Sequence, residues 1–114
     1  MHVIVEDSAR KNLEDIYYYN FQYSLNNAIE TDISIYELIY SLVDSPYIGR
    51  YIPEISDKRF RELIYRRTNH STYRIMYFIS EKNNTVYVRN IINSRQDFNR
   101  LLNQNNYFNN YFNF

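Results

Sequence analysis

The fold is decided by the stretch YRIMYFISEKNNTVYVRNII, which occupies residues 73–92. In its first part, residues 73–79, alternate side chains share one face of a strand, namely Tyr73, Ile75, Tyr77 and Ile79. The polar residues 82–84 predict a hairpin turn, and residues 85–92 predict the next strand. Both strands are apolar on their two faces, which is typical of the middle of a sheet that helices cover.

The chain before this hairpin adds two strands and two helices to the pattern. Residues 59–67 predict a strand, and residues 2–6 predict a short one. Ser8 is the predicted N-cap of a first helix, and a second helix is predicted over residues 26–44, where Pro46 ends it. The order β-α-α-β-β-β predicts an α+β domain, with an N-terminal helical hairpin packed on one face of a small, antiparallel-rich sheet.

The second predicted helix is apolar over a wide arc. One stripe consists of Ala28, Ile35, Leu38 and Leu42. A second stripe, turned by about 100° around the helix, consists of Ile29, Ile33, Tyr36, Tyr40 and Val43. This arc is wider than one sheet contact requires. We therefore expect the hairpin to pack on two sides, with contact to another chain as the alternative.

Composition excludes several kinds of site. A chain of 114 residues makes one domain, and without cysteine it has no disulfide framework, thiolate zinc site or cysteine nucleophile. The single glycine, Gly49, excludes a glycine-rich phosphate loop, and the two histidines, His2 and His70, lie in no catalytic motif. No metal or organic cofactor is implied. Because no membrane-spanning run or signal peptide is present, we expect a cytoplasmic protein that does not enter a membrane.

The net charge of zero hides a division between the two halves of the chain. Residues 1–57 carry three basic and ten acidic side chains, and residues 58–114 carry ten basic and three acidic ones, giving −7 and +7. The basic half is therefore a candidate surface for phosphate or for an acidic partner. The alternative is that the two halves simply pair with each other.

Arginine supplies most of this basic charge. Seven arginines fall on or beside the last three predicted strands: Arg59, Arg61, Arg66, Arg67, Arg74, Arg89 and Arg95. Arginine does not titrate, so it is a poor general base, but it binds phosphate in a bidentate manner and stabilises developing negative charge. The alternation predicts that Arg74 points away from the face that Tyr73 occupies. An ordinary solvated sheet face is the alternative to a nucleic-acid surface.

The order of several short segments resembles the RelE/ParE superfamily of bacterial toxins from type II toxin–antitoxin modules. These segments are Phe60-Arg61-Glu62-Leu63-Ile64, Tyr73-Arg74-Ile75-Met76-Tyr77 and Val86-Tyr87-Val88, the last leading to Ile91-Ile92-Asn93-Ser94-Arg95. The likeness covers about residues 2–98, so we expect a toxin domain over 1–98 and a tail over 99–114 that is rich in Asn, Tyr and Phe. The resemblance implies a toxin that arrests growth when free and is held inactive by a cognate antitoxin.

The superfamily includes two activities, and the resemblance implies different sites for them. RelE-like members cleave mRNA on the ribosome, which would make Arg61, Arg74 and Arg95 catalytic, with Glu62 as the carboxylate able to act as general base. The residues that would then bind RNA are Arg59, Arg66, Arg67 and Tyr73. We expect this activity because the arginine cluster is the most marked feature of the sequence.

Two alternatives accompany the RNA-directed prediction. ParE-like members poison DNA gyrase and have no hydrolytic site. Many nucleases of the superfamily have a histidine where this chain has Asn93 or Ser94, and several have a tyrosine where it has Phe98. The second alternative is an inactive binding module that keeps only its antitoxin contacts. In each case the antitoxin would dock a helix or an extended segment on the sheet or hairpin, giving a hetero-oligomer, and a homodimer is also compatible with the sequence.

Overall fold

Two helices and five strands form the part of the chain that the structure describes, residues 1–68 and 71–94, in a computed structural model. In chain order the elements are β1 (His2–Val5), α1 (Asp7–Phe21), α2 (Leu25–Ser41), β2 (Arg50–Tyr51), β3 (Phe60–Thr68), β4 (Ser71–Ser80) and β5 (Thr85–Asn93). No helix in these ranges is long and apolar enough to cross a membrane. The predicted tail, with the boundary drawn at residue 98, lies outside the described residues.

The five strands form one sheet in the order β1-β5-β4-β3-β2. The predicted hairpin of β4 and β5 lies in the interior of this sheet, and every pairing is antiparallel except that of β1 with β5. A parallel pairing requires a crossover connection, and the helical hairpin lies between these two strands in the sequence. The structure therefore confirms an α+β fold with two helices on a sheet that is mostly antiparallel.

The short strand β2 is absent from the predicted order. It consists of Arg50 and Tyr51, which pair with Glu62 and Arg61 of β3. Two residues give no alternation to detect, so only the contact with β3 reveals this strand. The sheet therefore has five strands instead of four.

The helix boundaries also differ from the predicted ones. The N-cap of α1 is Glu6, and Ser8 lies inside the first turn, where its hydroxyl donates to the carbonyl of Arg89 in β5. The helix α2 ends at Ser41 because the next amides turn tighter, with Leu42 N–H donating to the carbonyl of Ile39. Ser8 thus fastens α1 to the sheet instead of capping it.

Apolar side chains cover both faces of the central strands. On the face that meets the helices, the buried residues include Ala9, Leu13, Ile35, Ile39, Tyr73, Ile75, Tyr77 and Ile79. On the opposite face, called the open face here, a smaller cluster consists of Ile52, Phe60, Met76, Phe78 and Ile92. Ile52 follows β2 directly, so the chain after β2 supplies the cover for the open face. This second cluster explains why β4 is apolar on both sides.

The wide apolar arc of α2 is only half buried. Ala28, Ile35 and Leu42 of the first stripe are fully buried, as predicted. Four members of the second stripe are solvent-exposed, at 40% for Ile29, 52% for Ile33, 58% for Tyr40 and 41% for Val43, whereas Tyr36 is partly buried against the core. The expectation that the hairpin packs on two sides is therefore wrong for the described chain, because no second layer covers this stripe.

Candidate functional site

The sheet register separates the arginines that the resemblance groups together. Arg61 pairs with Tyr77, and Arg74 pairs with Ile64. Residues that pair directly across two strands project from the same face, and Tyr77 lies in the core beneath the helices. Arg61 is therefore on the helix face and Arg74 on the open face. The structure does not bring these two proposed catalytic residues together.

Arg74 is enclosed by carboxylates on the open face. Its Nε donates to Glu62 Oε1 at 2.7 Å, and its two terminal nitrogens donate to the Glu54 oxygens at 2.8 and 2.7 Å. The second oxygen of Glu62 accepts from Arg50 Nε at 2.7 Å. These four residues, called the arginine–carboxylate network here, hold the start of β4 to β2, β3 and the chain after β2.

Burial and charge make this network a structural unit. The side chain of Arg74 is 11% exposed and that of Glu62 is 0% exposed. The hydrogen bond from Arg74 has the largest effect on the pKa of the Glu54 carboxyl, and it lowers that pKa. The general-base role expected for Glu62 does not fit this geometry, since both of its oxygens accept from guanidinium groups and it has no contact with solvent.

Arg61 holds the loop that leads into β2. One terminal nitrogen donates to the carbonyls of Tyr47 and Gly49 at 3.1 and 2.9 Å, and the other donates to the hydroxyl of Tyr51 at 3.3 Å. The guanidinium also lies over both tyrosine rings, 5.4 Å from the centroid of Tyr47 and 4.5 Å from that of Tyr51. A single planar fork thus fixes the backbone and two rings of this loop.

The residues expected to bind RNA divide between the two faces. Arg67 reaches α2, donating to Asn27 Oδ1 at 2.8 Å and to Glu30 Oε2 at 2.7 Å. Tyr73 is buried in the core beneath the helices and stacks against Tyr65. Both side chains therefore lie on the helix side of the sheet, away from Arg66 and Arg74 on the open face.

The other two residues of that set are near the surface. Arg59 is paired with Asp57, through contacts as short as 2.6 Å, and this hydrogen bonding lowers the pKa of Asp57. Arg66 is exposed, and its place in the alternation of β3 puts it on the open face. Arg95, the third proposed catalytic residue, lies outside the described residues.

A cleft of about 630 Å³ lies where β3 begins and β4 ends. Its lining includes Lys58, Arg59, Arg61 and Lys82, together with the ring of Tyr47. Sequence analysis did not single out Lys58 or Lys82, because both occur in turns and not in the strands that carry the arginines. The only feature of the sequence that could have indicated these two lysines is that both belong to the basic half of the chain. In the described part of the chain, no group of three or more His, Asp or Glu residues is arranged for a metal ion.

The fold has known counterparts among solved structures. The chromosomal ParDE toxin–antitoxin system from P. aeruginosa contains a similar chain, with a TM-score of 0.64, 18% identity, and coverage of 82% of this chain and 95% of that chain. The toxin–antitoxin complex RelBE2 from Mycobacterium tuberculosis gives a TM-score of 0.55, 17% identity, and coverage of 81% and 95%. The chains in these two solved structures thus share the fold described above.

The sequence itself matches a known toxin family. Residues 3–98 match the family described as the ParE toxin of the type II toxin–antitoxin system parDE. No curated protein matches the chain. Because the family match spans most of the 114 residues, the chain belongs to the ParE toxin family of type II toxin–antitoxin systems.

Proposed function

We propose that this toxin arrests growth by binding DNA gyrase and that a cognate antitoxin neutralises it. The observation that carries the proposal is the arginine–carboxylate network, in which Arg74 and Glu62 are engaged with each other and with two further charged residues. Cleavage of RNA requires a proton acceptor beside the attacking hydroxyl and a cation that is free to meet the phosphate. The network occupies Glu62, the expected proton acceptor, and Arg74, one of the three arginines that the nuclease hypothesis treats as catalytic.

His2 does not complete a nuclease site around Arg74. His2 aligns with Thr85, and Thr85 aligns with Ser80 of β4. Ser80 is six residues along the strand from Arg74, a distance of about 20 Å at the rise of an extended chain. His2 is therefore too far from Arg74 to act with it on one phosphate. The match to the ParE family, whose gyrase-directed members have no hydrolytic site, favours the same activity.

Ribosome-dependent cleavage of mRNA is the second candidate. The observation in its favour is the cleft beside β3, where Lys58, Arg59, Arg61 and Lys82 come together. Here Arg61 would bind RNA backbone with Arg59, and Arg74 with Arg95 would contact the scissile phosphate. An inactive module that binds only antitoxin is the third candidate, and it predicts no growth arrest.

The test is induced expression of the whole chain in a bacterial host without its antitoxin. Primer extension on cellular mRNA and gyrase supercoiling activity are measured on the same lysates. Growth arrest with intact mRNA and impaired supercoiling is the expected result. Ribosome-dependent cuts in mRNA with normal supercoiling would overturn the proposal in favour of the nuclease, and soluble folded protein without arrest would favour the inactive module.

A matched variant further distinguishes the gyrase hypothesis from the nuclease hypothesis. Arg66→Ala removes an exposed arginine from the open face without touching the arginine–carboxylate network. Combined with Arg59→Ala, it removes two cations that the nuclease reading assigns to RNA. We expect this double variant to keep its effect on supercoiling, whereas a nuclease would lose ribosome-dependent cleavage.

A further inference from the structure

The cleft beside β3 has more positive charge than its partners neutralise. Arg59 is compensated by Asp57 at 2.6 Å. Among the described residues, neither Lys58 nor Lys82 forms an ion pair or a hydrogen bond, and Arg61 has only carbonyl and hydroxyl partners. Three cations without a carboxylate partner therefore line one cleft. Such a site attracts an anion with several oxygens.

Among the residues that the structure describes, Glu81 is the one carboxylate that lines the cleft, and a neighbour holds it. Glu81 Oε1 accepts a hydrogen bond from the hydroxyl of Tyr47 at 2.6 Å, and this bond raises the pKa of Tyr47. Glu81 is exposed in the β4–β5 turn, next to Lys82. Its charge opposes an incoming anion, so removing that charge is expected to strengthen anion binding.

An aromatic wall accompanies the cations. Tyr47 is 47% exposed and lines the cleft, together with the buried Phe78. Arg61 lies over the Tyr47 ring and Arg59 over the Phe78 ring, at 5.4 and 5.2 Å from the centroids. A flat ligand that enters beside Tyr47 meets ring and guanidinium surfaces, which are the groups on which bases stack.

These features select the chemical class of the ligand. A volume of about 630 Å³ is within the range of small-molecule and cofactor pockets. Uncompensated lysines suit a phosphate, and an exposed tyrosine ring suits a planar base. We propose that this cleft binds a nucleotide, with its phosphate on Lys58 and Lys82 and its base against Tyr47. The inference concerns a site away from the arginine–carboxylate network and holds whichever target the toxin has.

Binding of labelled oligothymidylate, measured by fluorescence anisotropy on the purified chain, tests the proposal. The variant Lys58→Ala/Lys82→Ala removes the two exposed lysines of the cleft. We expect it to bind about tenfold or more weakly, with a salt dependence reduced by about 1.4 in log–log slope. The matched control is Arg10→Ala/Lys11→Ala, which removes the same charge from the exposed surface of α1. Equal losses in both double variants would overturn the proposal.

Two further experiments identify which parts of the ligand the cleft binds. Calorimetry compares thymidine monophosphate with ribose 5-phosphate, which carries the phosphate but no base. Tighter binding of the nucleotide supports stacking at Tyr47, and equal binding overturns the nucleotide assignment. If oligothymidylate binds more tightly than thymidine monophosphate, the ligand of the cleft is nucleic acid. If the monophosphate binds more tightly, the ligand is a free nucleotide. The variant Glu81→Gln is expected to strengthen binding of both, and an unchanged affinity would contradict the placement of phosphate in this cleft.

Discussion

Arg74 and Glu62 form a diagonal pair across neighbouring strands, with Arg74 Nε donating to Glu62 Oε1 at 2.7 Å. The residues directly opposite them are Ile64 and Met76, so the long arginine side chain reaches two positions along β3 to make this bond. Because the Glu62 side chain has no exposure, the bond compensates a buried charge. A loss of toxicity in an Arg74 variant therefore reports on folding as well as on any contact with a target.

The first prediction is that Arg74→Ala destabilises the protein. Glu62 would keep only Arg50 as a partner, and Glu54 would lose its bidentate contact. Breaking a buried ion pair from one side costs about 3 kcal/mol in free energy of unfolding. Urea denaturation measures this change, and Arg66→Ala, at an exposed position on the same face, is the control. Equal stability of the two variants would show that the network is not a structural unit.

The second prediction concerns Glu54 and acid. Hydrogen bonding from Arg74 lowers the pKa of Glu54, so its ionised form stabilises the fold above the ordinary carboxyl pKa of about 4.3. This contribution is lost as the pH falls through the lower value of the folded state. We expect Glu54→Gln to be less stable than the parent near neutral pH, with the difference closing in acid. Urea midpoints across this pH range measure it.

A control separates this effect from general acid sensitivity. Glu14 is exposed on α1 and forms no ion pair in the described part of the chain. The Glu14→Gln variant is expected to follow the parent at every pH. A stability difference for Glu54→Gln that stays constant with pH would contradict the linkage to Arg74.

The elements that the sequence predicts well are those with a long periodic pattern. The alternation of Tyr73, Ile75 and Tyr77 placed these residues on one face, and the structure buries all three beneath the helices. The same alternation predicted that Arg74 points the other way, which is confirmed. The strand β2 was missed because two residues, Arg50 and Tyr51, have no period.

The candidate site was harder to predict because it depends on register and on distant partners. Alternation within one strand shows which of its residues share a face. Whether Arg61 of β3 lies on the same face as Arg74 of β4 also depends on how the two strands pair. That register shifts between Arg66 and Thr68, a local irregularity that the sequence does not indicate. Glu54 lies 20 residues from Arg74, and no pattern in the sequence joins them. Tyr73 was expected to bind RNA, although the alternation of β4 already placed it on the same face as Ile75 and Tyr77 and opposite Arg74.

The third prediction concerns the contact of Gly49 with Tyr77. The Gly49 N–H donates to the Tyr77 hydroxyl at 3.0 Å, and that hydroxyl donates to the Pro46 carbonyl at 2.9 Å. A Cβ at position 49 would collide with this hydroxyl and lie 2.7 Å from the Glu62 carbonyl oxygen. We expect Gly49→Ala to lower the free energy of unfolding by about 2 kcal/mol, measured by urea denaturation.

A double-mutant cycle checks the cause of this loss. Tyr77→Phe removes the colliding hydroxyl but leaves the buried Gly49 N–H without its partner, at a cost of about 1–3 kcal/mol. Gly49→Ala/Tyr77→Phe is therefore expected to lose less stability than the two single changes together. If the losses in free energy of unfolding from the two single changes are strictly additive, the Tyr77 hydroxyl is not what opposes a Cβ at position 49.

The fourth prediction concerns Arg61 as the residue that fixes the loop before β2. Lysine cannot reproduce the planar fork that bonds the carbonyls of Tyr47 and Gly49 and lies over two rings. We expect Arg61→Lys to speed amide hydrogen exchange over residues 46–51, even though the charge is kept. Lys58→Arg, a change at an exposed neighbour, is the control. Unchanged exchange in Arg61→Lys would assign the residue to ligand binding alone.

The fifth prediction concerns the exposed stripe on α2 and the antitoxin. Ile33 and Tyr40 are more than half exposed, at 52% and 58%, and Ile29 and Val43 extend the same apolar surface along the helix. An amphipathic segment of a partner would bury these side chains, and a charge at the centre of such a contact is strongly unfavourable. We expect Ile33→Asp/Tyr40→Asp to abolish co-purification with the antitoxin encoded by the adjacent reading frame, while the urea midpoint of the free toxin changes little. Ile48→Asp, at an exposed apolar residue off the stripe, is expected to keep the complex. If the double variant still binds antitoxin, the partner docks on another surface and the stripe is not its site.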